Sequence, residues 1–261
     1  MFRRSRPPRG QHFLHDRRIL QRIASSLPLR PGALVVEIGA GEGALTEFLL
    51  AAGARVTAIE IEPALAQHLR ERFEGADGIE ILEADVLNID FATLIAERSS
   101  EPALVAGNLP YYITSPILRK VFDASVLVEQ AVFLMQHEVA KRVTARKNSR
   151  DYGFLSVLCC LYSEPKLLFG VAAGAFRPPP RVSSAVVGMT MRRDRPADPD
   201  LVEFLKKCFA QPRKKLLNNL SGRYDRAVLG QFEQSQQRAQ QLDLEDLREF
   251  RAQLEQAARK G

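Results

Sequence analysis

With 261 residues, 46% of them hydrophobic and both charge signs abundant, the chain is long enough to bury a core without disulfide or metal staples. No apolar run has the length of a membrane span. The basic, proline-rich segment 1–10 leads into no apolar stretch of a secretory signal, so a cytoplasmic protein is expected. The net charge of +6 is unevenly divided: +7 over residues 1–30, −10 over 31–135 and +9 over the remainder, which leaves the basic flanks free to neutralise phosphates or simply to be solvated.

Taken in chain order, residues 1–30 form a basic arm and a first helix, with Ile19, Leu20, Ile23, Ala24 and Leu27 at helical spacing behind a capping Asp16. A domain over 31–191 follows. Residues 33–38 read as a buried strand, 39–43 as a glycine turn, 44–52 as a helix closed by Gly53, 55–59 as a second strand and 63–73 as a helix with proline in its first turn. Strands near 79–82, 103–106 and 130–134 alternate with helical stretches. That order specifies an α/β fold with a parallel sheet and helices on both faces. Helices over 137–146 and 153–161 precede two late strands, 166–171 and 185–191, that suit an antiparallel edge hairpin. Residues 192–199, charged and proline-bearing, read as a linker, and 200–261 as a small all-helical C-terminal domain. Cys159, Cys160 and Cys208 lack disulfide or ligand spacing, and His12 and His15 stand without acidic or thiol partners, so buried thiols and no metal are expected.

Glu37-Ile38-Gly39-Ala40-Gly41-Glu42-Gly43 places glycines between a strand and a helix, where backbone can approach a ligand and helix N–H groups are unpaired. Glu60 ends the next strand about twenty residues on, where a carboxylate can accept from ribose hydroxyls. Gly39, Gly41 and Ala44 also satisfy the dinucleotide pattern, so S-adenosylmethionine, a dinucleotide and a plain tight turn all remain open. Glu37 favours the first, because a carboxylate beneath the turn suits a cationic ligand and repels pyrophosphate. Asp85 follows the third strand, as an acceptor for the cofactor's adenine amine or as a helix cap.

Asn108-Leu109-Pro110-Tyr111 falls at the carboxyl end of the fourth strand, where open parallel sheets bind ligands. The lone pair of an adenine N6 is delocalised into the ring. Acceptors aimed at its two hydrogens, the Asn108 side-chain oxygen and a carbonyl at Leu109 or Pro110, would localise that lone pair toward a methyl donor. Pro110 stiffens the turn and Tyr111 offers a face for the base. A plain turn with a buried tyrosine is the alternative.

These segments, together with Gly10-Gln11-His12-Phe13-Leu14, the extension of the tetrapeptide through Pro116, and Phe176-Arg177-Pro178-Pro179-Pro180-Arg181-Val182-Ser183-Ser184, occur in the order found in another group of proteins. The chain resembles the KsgA-type (RsmA) family of ribosomal RNA small-subunit adenine N6,N6-dimethyltransferases over nearly its whole length. The resemblance implies a Rossmann-like class I methyltransferase sheet and dimethylation of two adjacent adenosines in the 3′-terminal hairpin loop of 16S rRNA in a pre-ribosomal 30S particle. It implies S-adenosylmethionine contacts at His12, Leu14, Gly39, Glu60, Asp85 and Asn108, with His12 departing from the asparagine common there. It further implies that Tyr111 and Phe176 sandwich the target adenine, that Phe209 and Arg213-Lys214-Lys215 lie in an RNA-contacting helical domain, and that the enzyme is a monomer. Erm-type 23S rRNA methyltransferases, which confer antibiotic resistance, share the pocket logic, but Leu109, the triple proline and Tyr112 point away from them. An assembly factor acting by binding and an NAD-dependent enzyme are the rivals from other classes.

Overall fold

The computed structural model describes residues 12–194 and 198–258. The rest of the basic arm, with Gly10 and Gln11, lies outside the described residues, as does the middle of the expected linker.

The chain forms two compact units, one running to Ala140 and resuming at Glu164, the other made of Lys141–Ser163 and the C-terminal segment from Pro196. The first begins with the two-residue strand β1 (Phe13–Leu14) and helix α1 (Arg17–Ala24). Asp16 caps α1 by accepting from the Arg18 and Ile19 amides, which offsets two of the unpaired N–H groups of its first turn. There follow β2 (Leu34–Ile38), α2 (Ala44–Ala51), β3 (Arg55–Glu60), α3 (Pro63–Arg72), β4 (Ile79–Glu83), α4 (Phe91–Ala96), β5 (Ala103–Asn108), α5 (Thr114–Asp123) and β6 (Val128–Gln136). Helices α6 (His137–Val143) and α7 (Phe154–Tyr162) come next, then β7 (Ser163–Val171), the two-residue β8 (Phe176–Arg177) and β9 (Ser184–Met191).

Seven strands form one sheet in the order β4-β3-β2-β5-β6-β9-β7. Strands β2 to β6 pair in parallel, and β9 inserts antiparallel to β6. All five residues of β2 are buried, as expected of a central strand covered on both faces. The sheet changes direction of growth between β2 and β5, and that switch point opens a crevice at the strands' carboxyl ends. Gly107 makes the approach possible there. It pairs with Ile38, and a Cβ in its place would stand 2.5 Å from the Ile38 carbonyl oxygen.

Strands β1 and β8 pair antiparallel, Leu14 against Phe176. Both side chains pack in the core with Leu20, Ile23 and Ala175.

The second unit holds α7, α8 (Pro199–Cys208), α9 (Leu216–Leu220), α10 (Arg226–Leu229) and α11 (Leu244–Ala258). Where the sequence reading carries the first domain unbroken to 191, Lys141–Ser163 groups instead with these helices. Helix α7 is apolar on all sides and buries Val157, Leu158, Cys159, Leu161 and Tyr162. Phe204, Phe232 and Phe250 meet edge to face at 5.9–6.5 Å around the same core. Lys147 bridges Asp243 and Asp246, and the Tyr152 hydroxyl donates to the Leu242 carbonyl at 3.0 Å, fastening the 141–163 excursion to the start of α11. Phe209, expected in an RNA-contacting domain, is 7% exposed and packs edge-on against Tyr152, because it ends the amphipathic α8 on its inward side. Arg213, Lys214 and Lys215 are exposed. Cys159 and Cys208 are buried free thiols, and burial pushes both well above the usual thiol range, while Cys160 is half-buried.

Candidate active site

The glycine turn after β2 is the floor of a cavity at the switch point. Gly39, Gly41 and Gly43 all have positive φ, between 58° and 78°, a conformation that a side chain would strain. At Gly41 a Cβ would also press within 3.1 Å of the Phe13 ring. The turn is braced from the next strand: the Glu60 carboxylate accepts from the Gly41 amide at 2.8 Å and from the Glu62 amide at 3.0 Å. This arrangement suits a pyrophosphate poorly. A pyrophosphate needs that Gly41 N–H and a site free of negative charge, whereas here a carboxylate holds the amide. Each Glu60 oxygen keeps a further lone pair for hydroxyl donors.

Glu37 is held differently from the expectation. It is 2% exposed and accepts from the Thr46 hydroxyl at 2.6 Å, nine residues ahead on α2. Burial pushes its carboxyl up to about 8, with the Thr46 hydrogen bond pulling down and the neighbouring Glu60 charge pushing up. At neutral pH it is a neutral acid that ties the strand to the helix, and the negative wall belongs to Glu60.

Asp85 is a helix cap that also faces the cavity. One oxygen accepts from the Leu87 amide at 2.9 Å, capping the short helical turn Val86–Asn88, and the residue lines the cavity.

Across the crevice, the Asn108 side-chain amide donates through Nδ2 to the His12 carbonyl at 2.9 Å. A carbonyl can only accept, so the amide's orientation is fixed and Oδ1 is left as its acceptor. The Pro110 carbonyl already accepts from the Ile113 amide and the Thr114 hydroxyl at the start of α5. Among the described residues the Leu109 carbonyl has no donor, while its amide is tied to the Leu134 carbonyl. Of the two carbonyls expected to share the work with Asn108, Leu109 is the one available.

Tyr111 is pinned by a 2.7 Å hydrogen bond between its hydroxyl and that of Ser184, and burial, opposed by that bond, raises its phenol further from ionisation. The His12 ring stacks on it, centroids 5.8 Å apart and planes 29° inclined, and donates through Nδ1 to the Pro178 carbonyl at 2.8 Å.

The cavity thus gathers His12, Leu14, Glu37, Gly39, Gly41, Glu60, Asp85, Asn108, Leu109, Pro110 and Tyr111. Phe176 stands outside its lining at 2% exposure, because its ring fills the core behind β1. Sequence reasoning gave no role to Thr46, Thr114 or Ser184. Thr114 and Ser184 fall inside the quoted motif segments and Thr46 just beyond the glycine turn, but the hydrogen bonds they make appear only in the folded chain. Among the described residues no cluster of three or more potential metal ligands occurs, and no helix is long and apolar enough to cross a membrane.

A mixed sheet of this order, with a glycine turn braced by an acidic wall facing an Asn-Leu-Pro-Tyr turn, defines a class I methyltransferase. The family model for ribosomal RNA adenine dimethylases matches residues 3–251, and the chain belongs to that family. A relative from Acidobacterium capsulatum named ribosomal RNA small subunit methyltransferase A is 42% identical over 252 residues, covering 93% of this chain and 88% of its own. A dimethyladenosine transferase from Plasmodium falciparum shares the fold with a TM-score of 0.81 at 24% identity, covering 95% of this chain and 98% of its own. The 23S rRNA methyltransferase ErmE superposes with a TM-score of 0.67 at 30% identity, over 93% of this chain and 99% of its own.

Proposed function

We propose that the chain, acting as a cytoplasmic monomer, dimethylates the N6 amines of two adjacent adenosines in the 3′-terminal hairpin loop of 16S rRNA within a pre-ribosomal 30S particle. The observation that carries this reading is the orientation of Asn108, a cavity-lining residue whose Nδ2 is spent on His12 so that Oδ1 is left as an acceptor. With the Leu109 carbonyl it forms a pair of fixed acceptors for the two hydrogens of a primary amine. Accepting both draws N6 toward a pyramidal shape and localises its lone pair. These dipoles also stabilise the positive charge that N6 gains as the new N–C bond forms. Once methylated, N6 is too weakly basic to keep that proton and releases it to water, so no side-chain base is required. Tyr111, protonated and clamped by Ser184, supplies an uncharged face for the base. Clasping the second face with Phe176 requires the β1–β8 wall to open, since that ring is buried.

S-adenosylmethionine would supply a methyl group on a sulfonium that departs as a neutral thioether. The residues fit it: Glu60 offers acceptors to ribose hydroxyls, Asp85 an acceptor to an exocyclic amine, and Gly39 and Gly41 let the backbone approach closely, with His12, Leu14 and Glu37 closing the walls. The small-subunit name of the Acidobacterium relative, at higher identity than the 23S enzyme, supports the 16S address.

Nucleoside analysis of treated ribosomal RNA checks the chemistry. The expected product is N6,N6-dimethyladenosine. Recovery of N6-methyladenosine alone at completion, or of methyl on another base, contradicts it.

A further inference from the structure

The cavity's rim carries more exposed apolar surface than its interior role explains. Six large hydrophobic side chains are exposed among the described residues, and two of them, Ile61 at 59% and Tyr112 at 78%, line this cavity. A third, Val182 at 47%, lies two residues from Ser184, whose hydroxyl holds Tyr111. The consecutive tyrosines are sharply unlike each other. Tyr111 is half-buried, hydrogen-bonded and stacked on His12, whereas Tyr112 has no hydrogen bond or ring partner among the described residues. Arg177, at the end of β8, and Arg181, in the loop that follows with Val182, are exposed and form no ion pair among the described residues.

We propose that Tyr112 is a stacking platform for the nucleotide that neighbours the target adenosine, with Arg181 placed to neutralise an adjoining phosphate. The inference rests on the adenine-methylating reading of the cavity. Turning one base into a pocket strips its neighbour of a stacking partner and leaves an aromatic face open to water. An exposed phenol ring at the pocket mouth replaces that partner without demanding a particular base, since every base has a π-face. Tyr111 cannot serve, because its ring belongs to the pocket and its hydroxyl is tied. Where the two targets are adjacent, the neighbour is the second adenosine, so the platform holds one substrate base while the other reacts.

The test compares full-length Tyr112→Ala and Tyr112→Phe with the wild type, using small subunits that lack the methyl groups and a labelled methyl donor. For Tyr112→Ala, loss of one base–aromatic stack should raise the KM for subunits about tenfold or more. Its kcat should stay within about threefold, and S-adenosylhomocysteine affinity within about twofold, showing an intact fold and cofactor site. Tyr112→Phe keeps the ring and should match the wild type within about twofold. An unchanged KM in Tyr112→Ala overturns the proposal. So does an equal loss in Tyr112→Phe, which would assign the effect to the hydroxyl. A wild type that places no methyl on adenine removes the underlying reading and this inference with it, whereas an active wild type with an indifferent Tyr112→Ala defeats the platform alone.

Discussion

Asn108→Ala is expected to lower kcat for methyl transfer by about 10²- to 10³-fold, the scale on which one fixed electrostatic partner of a transition state contributes. The Leu109 carbonyl survives the change and still accepts one N6 hydrogen, so residual transfer above the uncatalysed rate should persist. Two losses combine in this variant. The acceptor Oδ1 disappears, and the His12 carbonyl loses the Nδ2 donor that ties the β1 segment to the end of β5. Single-turnover label transfer at saturating subunits isolates the first of these. A rate within about threefold of the wild type would mean that the tetrapeptide does not position the amine. In cells the same variant separates catalysis from occupancy: growth that tolerates Asn108→Ala but not deletion would assign the biology to binding.

The second large effect is on stability and comes from Glu37. Its carboxyl titrates at about 8 in the folded chain against an ordinary value of 4.5, chiefly through burial. Between those values the folded protein holds a proton that the unfolded chain has released. Glu37 therefore contributes fully below pH 4.5, and its contribution is lost as pH rises toward and past 8. The loss is on the order of 5 kcal/mol across the window, at about 1.4 kcal/mol per unit. Glu37→Gln mimics the protonated acid and can still accept from the Thr46 hydroxyl. Thermal unfolding of both proteins from pH 5 to 9 should show the wild type losing stability relative to the variant as pH rises. Parallel curves would show that the carboxyl is not held neutral.

The architecture was legible because each strand and helix carries its own local signal. The all-apolar β2 broken only by Glu37, the glycines of positive φ, and Pro63 opening α3 all depend on neighbours in sequence. The candidate site was legible as short segments, Gly39 to Gly43 and Asn108 to Tyr111, that the fold brings to one cavity. What depends on distant partners was not. The state of Glu37 turns on Thr46 across the strand-to-helix turn, and the His12 ring finds the Pro178 carbonyl 166 residues away. Nothing in a linear pattern reports either. Helix α7 illustrates another limit: an apolar run such as Phe154–Tyr162 reads the same whichever core receives it, and its grouping with the C-terminal helices follows from Lys147 and Tyr152 finding the start of α11. Phe209 and Phe176 show the converse. Aromatic side chains near a binding motif are as well suited to core packing as to stacking on bases, and in this structure both are buried.

The most direct measurement incubates the purified protein with a labelled methyl donor and, separately, small and large ribosomal subunits from cells lacking the corresponding methylations. The account predicts label in small-subunit RNA only, approaching four methyl groups per particle, two on each of two adjacent adenosines. Label confined to large-subunit RNA would contradict it and place the enzyme with the 23S methyltransferases.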